Sequence, residues 1–256
     1  MPAPETIAIE TRILPADATG IAAAAAVFAR GGLVAFPTET VYGLGADASN
    51  AAAIARLYQA KGRPAFNPLI AHVADVAAAR RIGRFDAVAE RLAQAFWPGP
   101  LTLVLPQAEG CPVADLATAG LDTVAIRVPA HPVARALLAA FGGAVVAPSA
   151  NISGHVSPTM AAHVAADLDG RIDLILDGGA VEVGVESTII GCFDEPTLLR
   201  PGGVPRAAID AVLDPAQSPA LYFVADGSGG HVFANTLEQH NANVAKWRAY
   251  RAAKGI

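Results

Sequence analysis

Residues 33–48 read LVAFPTETVYGLGADA, a hydrophobic run that ends at a proline and opens into polar residues. Leu33, Val34, Ala35 and Phe36 have the length and character of a buried strand, and Pro37 cannot donate to a sheet ladder. Thr38, Glu39 and Thr40 therefore fall at a strand's C-terminal mouth, where open α/β sheets collect their ligands. Gly43 and Gly45 predict a turn or a close approach of the backbone to a neighbour. Ser149 and Asn151 follow Val145-Val146-Ala147-Pro148 in the same way. Two strands that both end in proline and then a hydroxyl predict a shared crevice.

Working outward, apolar periodicity and capping residues predict an alternation of helices and strands. A short strand is expected over 6–9, and a helix over 17–30 closed by Gly31 and Gly32. Asn50 caps a helix with Ile54, Leu57 and Tyr58 on one face. That helix runs into the basic loop Lys61-Gly62-Arg63-Pro64. A strand over 69–73 contains His72, and a helix over 88–96 stops at Trp97-Pro98-Gly99-Pro100. Strands are expected over 101–105, 124–129 and 144–148, with a helix over 131–140 that has Pro132 in its first turn. Thr159 is expected to cap the next helix, and strands follow over 174–177, 188–191 and 198–200. The alternation shows no repeat, which places the chain in the α/β class.

The pattern changes after residue 213. Residues 215–219 look like a linker, and 221–225 with 231–234 read as a hairpin around a Gly-rich turn. Thr236 and Gln239 fit a capping box for a final helix. That helix sets Lys246, Arg248, Arg251 and Lys254 against Glu238; a solvated terminal helix accounts for this. The expected domains are 1–213 and an appendage over 214–256.

Composition bounds the function. The chain has 256 residues, 53% hydrophobic and 16% charged, which suffices for one large core. A net charge of -5 argues against a chain built to coat nucleic acid. Cys111 and Cys192 belong to no paired motif, so neither a zinc site nor a disulfide framework is expected. No apolar run is long enough to span a bilayer, and the Ala-rich segment 21–29 follows acids rather than a basic leader. A cytoplasmic protein with no membrane partner is the expectation.

Several chemistries are excluded by spacing. Gly43-x-Gly45-x-x-Ala48 matches the relaxed dinucleotide fingerprint, but a proline and a polar run separate it from its strand. No acid between Asp47 and Asp75 would hold a ribose. No P-loop, no Gly-x-Ser-x-Gly elbow and no His-Glu-x-x-His is present. What remains is a set of cations and small polar groups. Lys61 and Arg63 lie two residues apart, a point charge and a planar fork suited to polyphosphate, though such a pair is also ordinary solvated surface. Arg127 interrupts the strand VAIRVP. On strict alternation it shares one face with Ala125 while Val124, Ile126 and Val128 share the other, and that face could hold a site or meet water. Arg200 ends a strand before Pro201-Gly202-Gly203. His72 reads equally as a core histidine or a site residue. With no evident nucleophile, this inventory suits an enzyme that joins bound substrates by positioning and charge neutralisation.

FPTETVYGLG, KGRPAFNPLIAHV, WPGPLTLVL, GLDTVAIRVPAHP, APSANISG with SPT, DGG, VESTII and LLRPGG follow one another here. In that order they resemble the YrdC/TsaC family of threonylcarbamoyl-AMP synthases over residues 7–213. The resemblance implies a twisted open mixed sheet flanked by helices, with a large concave basic cavity. It also implies an activity: L-threonine, bicarbonate or carbon dioxide, and ATP give L-threonylcarbamoyladenylate and pyrophosphate, for the threonylcarbamoyladenosine modification of tRNA. By motif position Thr38, His72, Arg127 and Ser187 would hold threonine. Lys61, Arg63, Thr123, Ser149, Asn151, Ser157 and Arg200 would bind ATP, with Lys61 and Arg63 also offsetting charge during the reaction. Mg2+ would accompany the nucleotide without a dedicated protein ligand set. Possible partners are tRNA and downstream threonylcarbamoyl transferases. Longer family members continue past the Arg-Pro-Gly block through a His-Tyr-Ala-Pro linker into a second domain. Here ALYFVADGSGGHVFANTLEQHNANVAKWR resembles instead the C-terminal end of MltG-type endolytic transglycosylases, without their catalytic region.

Two other functions compete. An RNA-binding or ribosome-maturation module would use the basic concavity and the basic tail helix, with a salt-dependent affinity. A carbamoyl-adenylating domain like that of hydrogenase-maturation proteins would bring an acylphosphatase region and Cys-rich zinc fingers, which two cysteines cannot supply.

Overall fold

The computed structural model describes residues 10–193, 195–214, 222–225, 231–234 and 236–254. The strand expected over 6–9 and the linker over 215–219 lie outside the described residues. The chain divides into two compact units, 1–213 and 214–256.

The first unit opens with β1 (Arg12–Pro15), α1 (Ala18–Ala29), β2 (Val34–Pro37), β3 (Tyr42–Asp47) and α2 (Ala51–Lys61). It continues through β4 (Ile70–His72), α3 (Val76–Arg80), α4 (Ala87–Phe96), β5 (Leu101–Pro106), α5 (Asp115–Thr118) and β6 (Thr123–Arg127). Then come α6 (Pro132–Phe141), β7 (Val145–Val146), α7 (Ala161–Leu168), β8 (Leu174–Asp177), β9 (Thr188–Cys192), β10 (Pro196–Arg200) and α8 (Arg206–Leu213). The strands form one mixed sheet in the order β1-β8-β2-β3-β7-β4-β6-β5-β9-β10. The second unit is a hairpin of β11 (Tyr222–Ala225) and β12 (His231–Ala234), antiparallel as expected, followed by α9 (Leu237–Lys254). Thr236 Oγ1 accepts from the Gln239 N–H at 3.2 Å, which is one half of the capping box.

Local signals account for most helix starts. Asn50 Oδ1 accepts from the N–H groups of Ala52 and Ala53, and Gly62 in the left-handed region (φ 60) ends α2. Asp17 caps α1, and Pro132 stands in the first turn of α6. Thr159 does not cap α7. Met160 occupies the cap position without a side-chain bond, while Thr159 Oγ1 lies 3.3 Å from His163 Nδ1.

Sequence reading placed no strand directly after Pro37, only a turn or close approach at Gly43 and Gly45, whereas the chain turns at 38–41 and returns as β3 against β2. The glycines hid this strand, since glycine is a poor strand former. Gly45 is there because rings crowd the backbone. A Cβ on Gly45 would stand 2.7 Å from the Phe28 ring and 2.9 Å from the Phe36 ring.

Side chains alternate across the sheet and sort into two cores. Ala35, Ile175, Val146 and Ile126 face α2, α4, α7 and α8. Val34, Phe36, Leu174, Leu176 and Val145 face α1 and α6. Those two helices cover β8, β2, β3 and β7 but stop short of β4, β6, β5 and β9. The uncovered half of that face is the floor of a cavity.

Candidate active site

The cavity is about 560 Å³. Parallel pairing of β4 and β6 puts Ile70 beside Ala125 and His72 beside Arg127, all four on the cavity face. Val124, Ile126 and Val128 are in the opposite core, as alternation required. Arg127 does not face water; it is 4% exposed. Arg63, Arg127 and Arg200 share this wall with Thr123, Ser149, Ser187 and one carboxylate, Glu186.

A buried guanidinium needs partners, and Arg127 has three. Nη2 donates to Glu39 Oε1 at 2.6 Å, Nη1 to Thr40 Oγ1 at 2.9 Å, and Nε to the Gly99 carbonyl at 3.3 Å. Glu39 Oε2 accepts the N–H groups of Ala130 and His131 ahead of α6, so one carboxylate ties Arg127 to that helix. Burial pushes the Glu39 carboxyl up, but the field and hydrogen bond of Arg127 outweigh it and hold it below its usual value. Guanidinium has five N–H groups, so one on each terminal nitrogen remains for a ligand.

His72 is 2% exposed. Burial, reinforced by the Arg127 charge, lowers its pKa to about 3, so the ring is neutral at pH 7. Nδ1 lies 3.1 Å from the Ile70 carbonyl, which can only accept, so Nδ1 carries the proton and Nε2 is an acceptor. The folded pKa lies below the unfolded value of about 6.5. His72 therefore contributes stability that is complete above pH 6.5 and lost as pH falls toward 3. We expect about 2 kcal/mol of this loss between pH 6.5 and 5. Urea unfolding of the wild type and His72→Gln across that range checks it; parallel pH curves would contradict the assignment.

Lys61 is not a solvated surface charge. It is 2% exposed, and Nζ donates to the main-chain carbonyls of Ser149, at 2.5 Å, and Asn151. Its own carbonyl accepts from Ser153 N–H at 2.8 Å, so residues 149–153 wrap around it. Burial, with the nearby Arg63, lowers its pKa to about 8.

The expected site residues thus fall into two groups. Arg63, His72, Thr123, Arg127, Ser149, Ser187 and Arg200 line the cavity. Thr38, Lys61 and Ser157 stand one hydrogen bond behind its wall, and Asn151 is joined to it through Lys61. Thr38 Oγ1 donates to the Val41 carbonyl at 2.7 Å and lies 2.8 Å from Thr40 Oγ1. Ser157 Oγ donates to Glu186 Oε1 at 2.5 Å. Arg200 donates twice to the Ser187 carbonyl and once to its Oγ, which also bonds Thr102 Oγ1. Two buried polar atoms on these residues have no protein partner, Arg63 Nε and Asn151 Oδ1. Sequence reading placed Glu39 and Thr40 at the strand mouth but gave them no role, and passed over Glu186 and Thr102. A second hollow of about 660 Å³, with Asp47, Ser49, Asp75 and Arg81 on its wall, gathers none of the expected residues.

A cavity with three arginines, a neutral imidazole acceptor and hydroxyl groups suits two anionic or zwitterionic ligands held side by side. The family model for Sua5, YciO and YrdC, described as "Telomere recombination", matches residues 26–202. This chain belongs to the Sua5/YciO/YrdC family. Within that family, the threonylcarbamoyl-AMP synthase of Bacillus subtilis is 53% identical over 197 residues, covering 76% of this chain and 57% of the relative. The threonylcarbamoyl-AMP synthase of Halorhodospira halophila is 42% identical over 184 residues, covering 70% of this chain and 88% of the relative. The chain therefore spans little more than half the length of the Bacillus protein. Among solved structures, Pyrococcus abyssi Sua5 complexed with L-threonine superposes with a TM-score of 0.75 at 41% identity, over 96% of this chain and 77% of that one. That solved structure shares the mixed α/β fold of the first unit. A separate model, described as a YceG-like family, matches residues 202–246. Among the described residues no helix is long and apolar enough to cross a membrane.

Proposed function

We propose that this member of the Sua5/YciO/YrdC family is an L-threonylcarbamoyladenylate synthase acting in the cytoplasm on L-threonine, bicarbonate or carbon dioxide, and ATP. The observation that carries the reading is the convergence of Arg63, Arg127 and Arg200 with His72, Ser149 and Ser187 on one cavity. The synthase names of its relatives and the threonine complex of Pyrococcus abyssi Sua5 support it.

In this reading the two free N–H groups of Arg127 take the threonine carboxylate, with Ser187 beside it and Thr38 acting through Thr40. The His72 Nε2 lone pair accepts from the threonine amine or hydroxyl. The deprotonated amine adds to carbon dioxide, giving a carbamate and releasing a proton. A carbamate oxygen attacks the α-phosphorus of ATP, and the bond to pyrophosphate breaks. Arg63 and Arg200 face the phosphates, with Thr123 and Ser149 on the same wall, so charge on the leaving pyrophosphate meets fixed cations. Arg63 Nε, unpartnered in the protein on a residue that lines the cavity, is a donor a nucleotide would satisfy. Lys61 serves by holding the Ser149 and Asn151 main chain in place. Magnesium enters with the triphosphate as part of the substrate. Among the described residues no group of three or more His, Cys, Asp or Glu is placed to bind it without the phosphates.

Incubation with threonine, radiolabelled bicarbonate and ATP tests the function. Label should pass into an adenylate, with one pyrophosphate released per adenylate. Pyrophosphate release that ignores threonine would count against a synthase. The adenylate would supply a tRNA-modifying transferase, the partner class this product requires.

The second unit is read as an appendage related to the end of MltG-type transglycosylases, with no lytic activity of its own. Truncation after Leu213 is expected to leave the adenylation rate within about twofold, because all the proposed site residues lie in the first compact unit. A folded but inactive truncation would give the tail a part in the reaction.

A further inference from the structure

Glu186 has the wrong charge for a polyphosphate cavity. It is the single carboxylate among the described lining residues, alongside three arginines. It makes no ion pair with any cation among the described residues. Oε1 accepts from Ser157 Oγ at 2.5 Å, and Oε2 has no protein partner there. The Ser157 bond, opposed by partial burial and helped by the Arg200 field, keeps the carboxyl below its usual range, so it is ionised at pH 7.

The main chain that carries it is fixed from behind. The Glu186 carbonyl accepts the Gly203 N–H at 2.9 Å, and a Cβ on Gly202 would come within 2.3 Å of that oxygen. Arg200 clamps the next carbonyl, that of Ser187. An ionised carboxylate on the wall of a triphosphate cavity repels the phosphates, unless a divalent cation lies between the two. Magnesium binds in this manner, through one or two carboxylates with substrate phosphates and water completing its shell.

We propose that Glu186 Oε2 is the protein's carboxylate ligand for a divalent cation carried in on the nucleotide triphosphate. The site is complete only when nucleotide is bound, which is why no protein cluster for a metal stands ready. This inference rests on the nucleotide reading above. Glu186 would then reject metal-free nucleotide and accept the magnesium complex.

Calorimetric titration of the full chain with ATP, once with excess EDTA and once with magnesium, tests it on wild type, Glu186→Gln and Ser157→Ala. The wild type should bind the magnesium complex about tenfold more tightly than metal-free ATP. Glu186→Gln should shift the two forms in opposite directions: metal-free ATP tightens about threefold, and the magnesium complex weakens about tenfold. Ser157→Ala keeps the carboxylate and should keep the metal preference. With Mn2+ replacing magnesium, the ternary-complex electron paramagnetic resonance spectrum should differ between wild type and Glu186→Gln. If Glu186→Gln weakens both forms equally, the residue merely braces Ser157 and the proposal is overturned. Equal wild-type affinity with and without metal also overturns it, while leaving the nucleotide site standing. Absence of any ATP binding to the wild type overturns it together with that site.

Discussion

Arg127→Ala should lower stability by about 3 kcal/mol and threonine affinity by about a hundredfold. The first effect comes from Glu39, whose side chain is 12% exposed and whose charge would be left in the protein without its cation. Breaking one side of a buried pair costs about 3–5 kcal/mol for this reason. The second effect comes from the two lost N–H groups on the cavity side, since hydrogen bonds to a charged ligand are worth about 1.5–3 kcal/mol each. A double variant separates the two. Arg127→Met with Glu39→Leu removes both charges and should recover most of the stability, because a buried ion pair can be replaced by apolar side chains at little cost. Threonine binding should not return. Urea unfolding and threonine titration of the single and double variants measure this; a single variant that binds threonine within threefold of wild type would remove Arg127 from the site.

Lys61→Met is expected to slow adenylate formation about a hundredfold and to cost about 2 kcal/mol of stability. The methionine keeps the apolar stem but leaves the Ser149 and Asn151 carbonyls without a donor, and such orphaned groups cost about 1–3 kcal/mol. Ser149 lines the cavity, so loosening its main chain by a fraction of an ångström misplaces whatever it holds. The pKa of about 8 adds a pH signature. Below pH 8 the ammonium is present and both bonds are charge-assisted; above it the neutral amine keeps two N–H groups but not the charge, so both bonds weaken and activity falls. The wild-type rate should therefore have an alkaline limb near pH 8 that Lys61→Met lacks. Wild-type turnover in the variant would show that the 149–153 main chain holds its shape unaided.

Much of the fold was legible in single stretches. Asn50, Asp17 and Pro132 mark helix starts by chemistry that acts within one turn. The alternation around Arg127 assigned Ala125 and Arg127 to one face and Val124, Ile126 and Val128 to the other, because a strand's period of two is local geometry. Short elements were not legible. α3 and α5, of five and four residues, and the largely exposed β1 carry too little pattern to stand out. β3 was hidden because it carries two glycines, and Gly45 is chosen by the Phe28 and Phe36 rings opposite it, not by strand propensity.

The site divides the same way. The sequence by itself determined which residues are polar at the ends of strands, and the ordered motifs determined the family. Only the tertiary structure decided which of them share a wall. α1 and α6 cover one half of a sheet face and leave the other open, and no local pattern records where a distant helix ends. It also decided the electrostatics. Arg127 is joined to Glu39 across 88 residues and Lys61 to Ser149 across another 88, so which charges are free to meet a ligand depends on partners that only folding supplies.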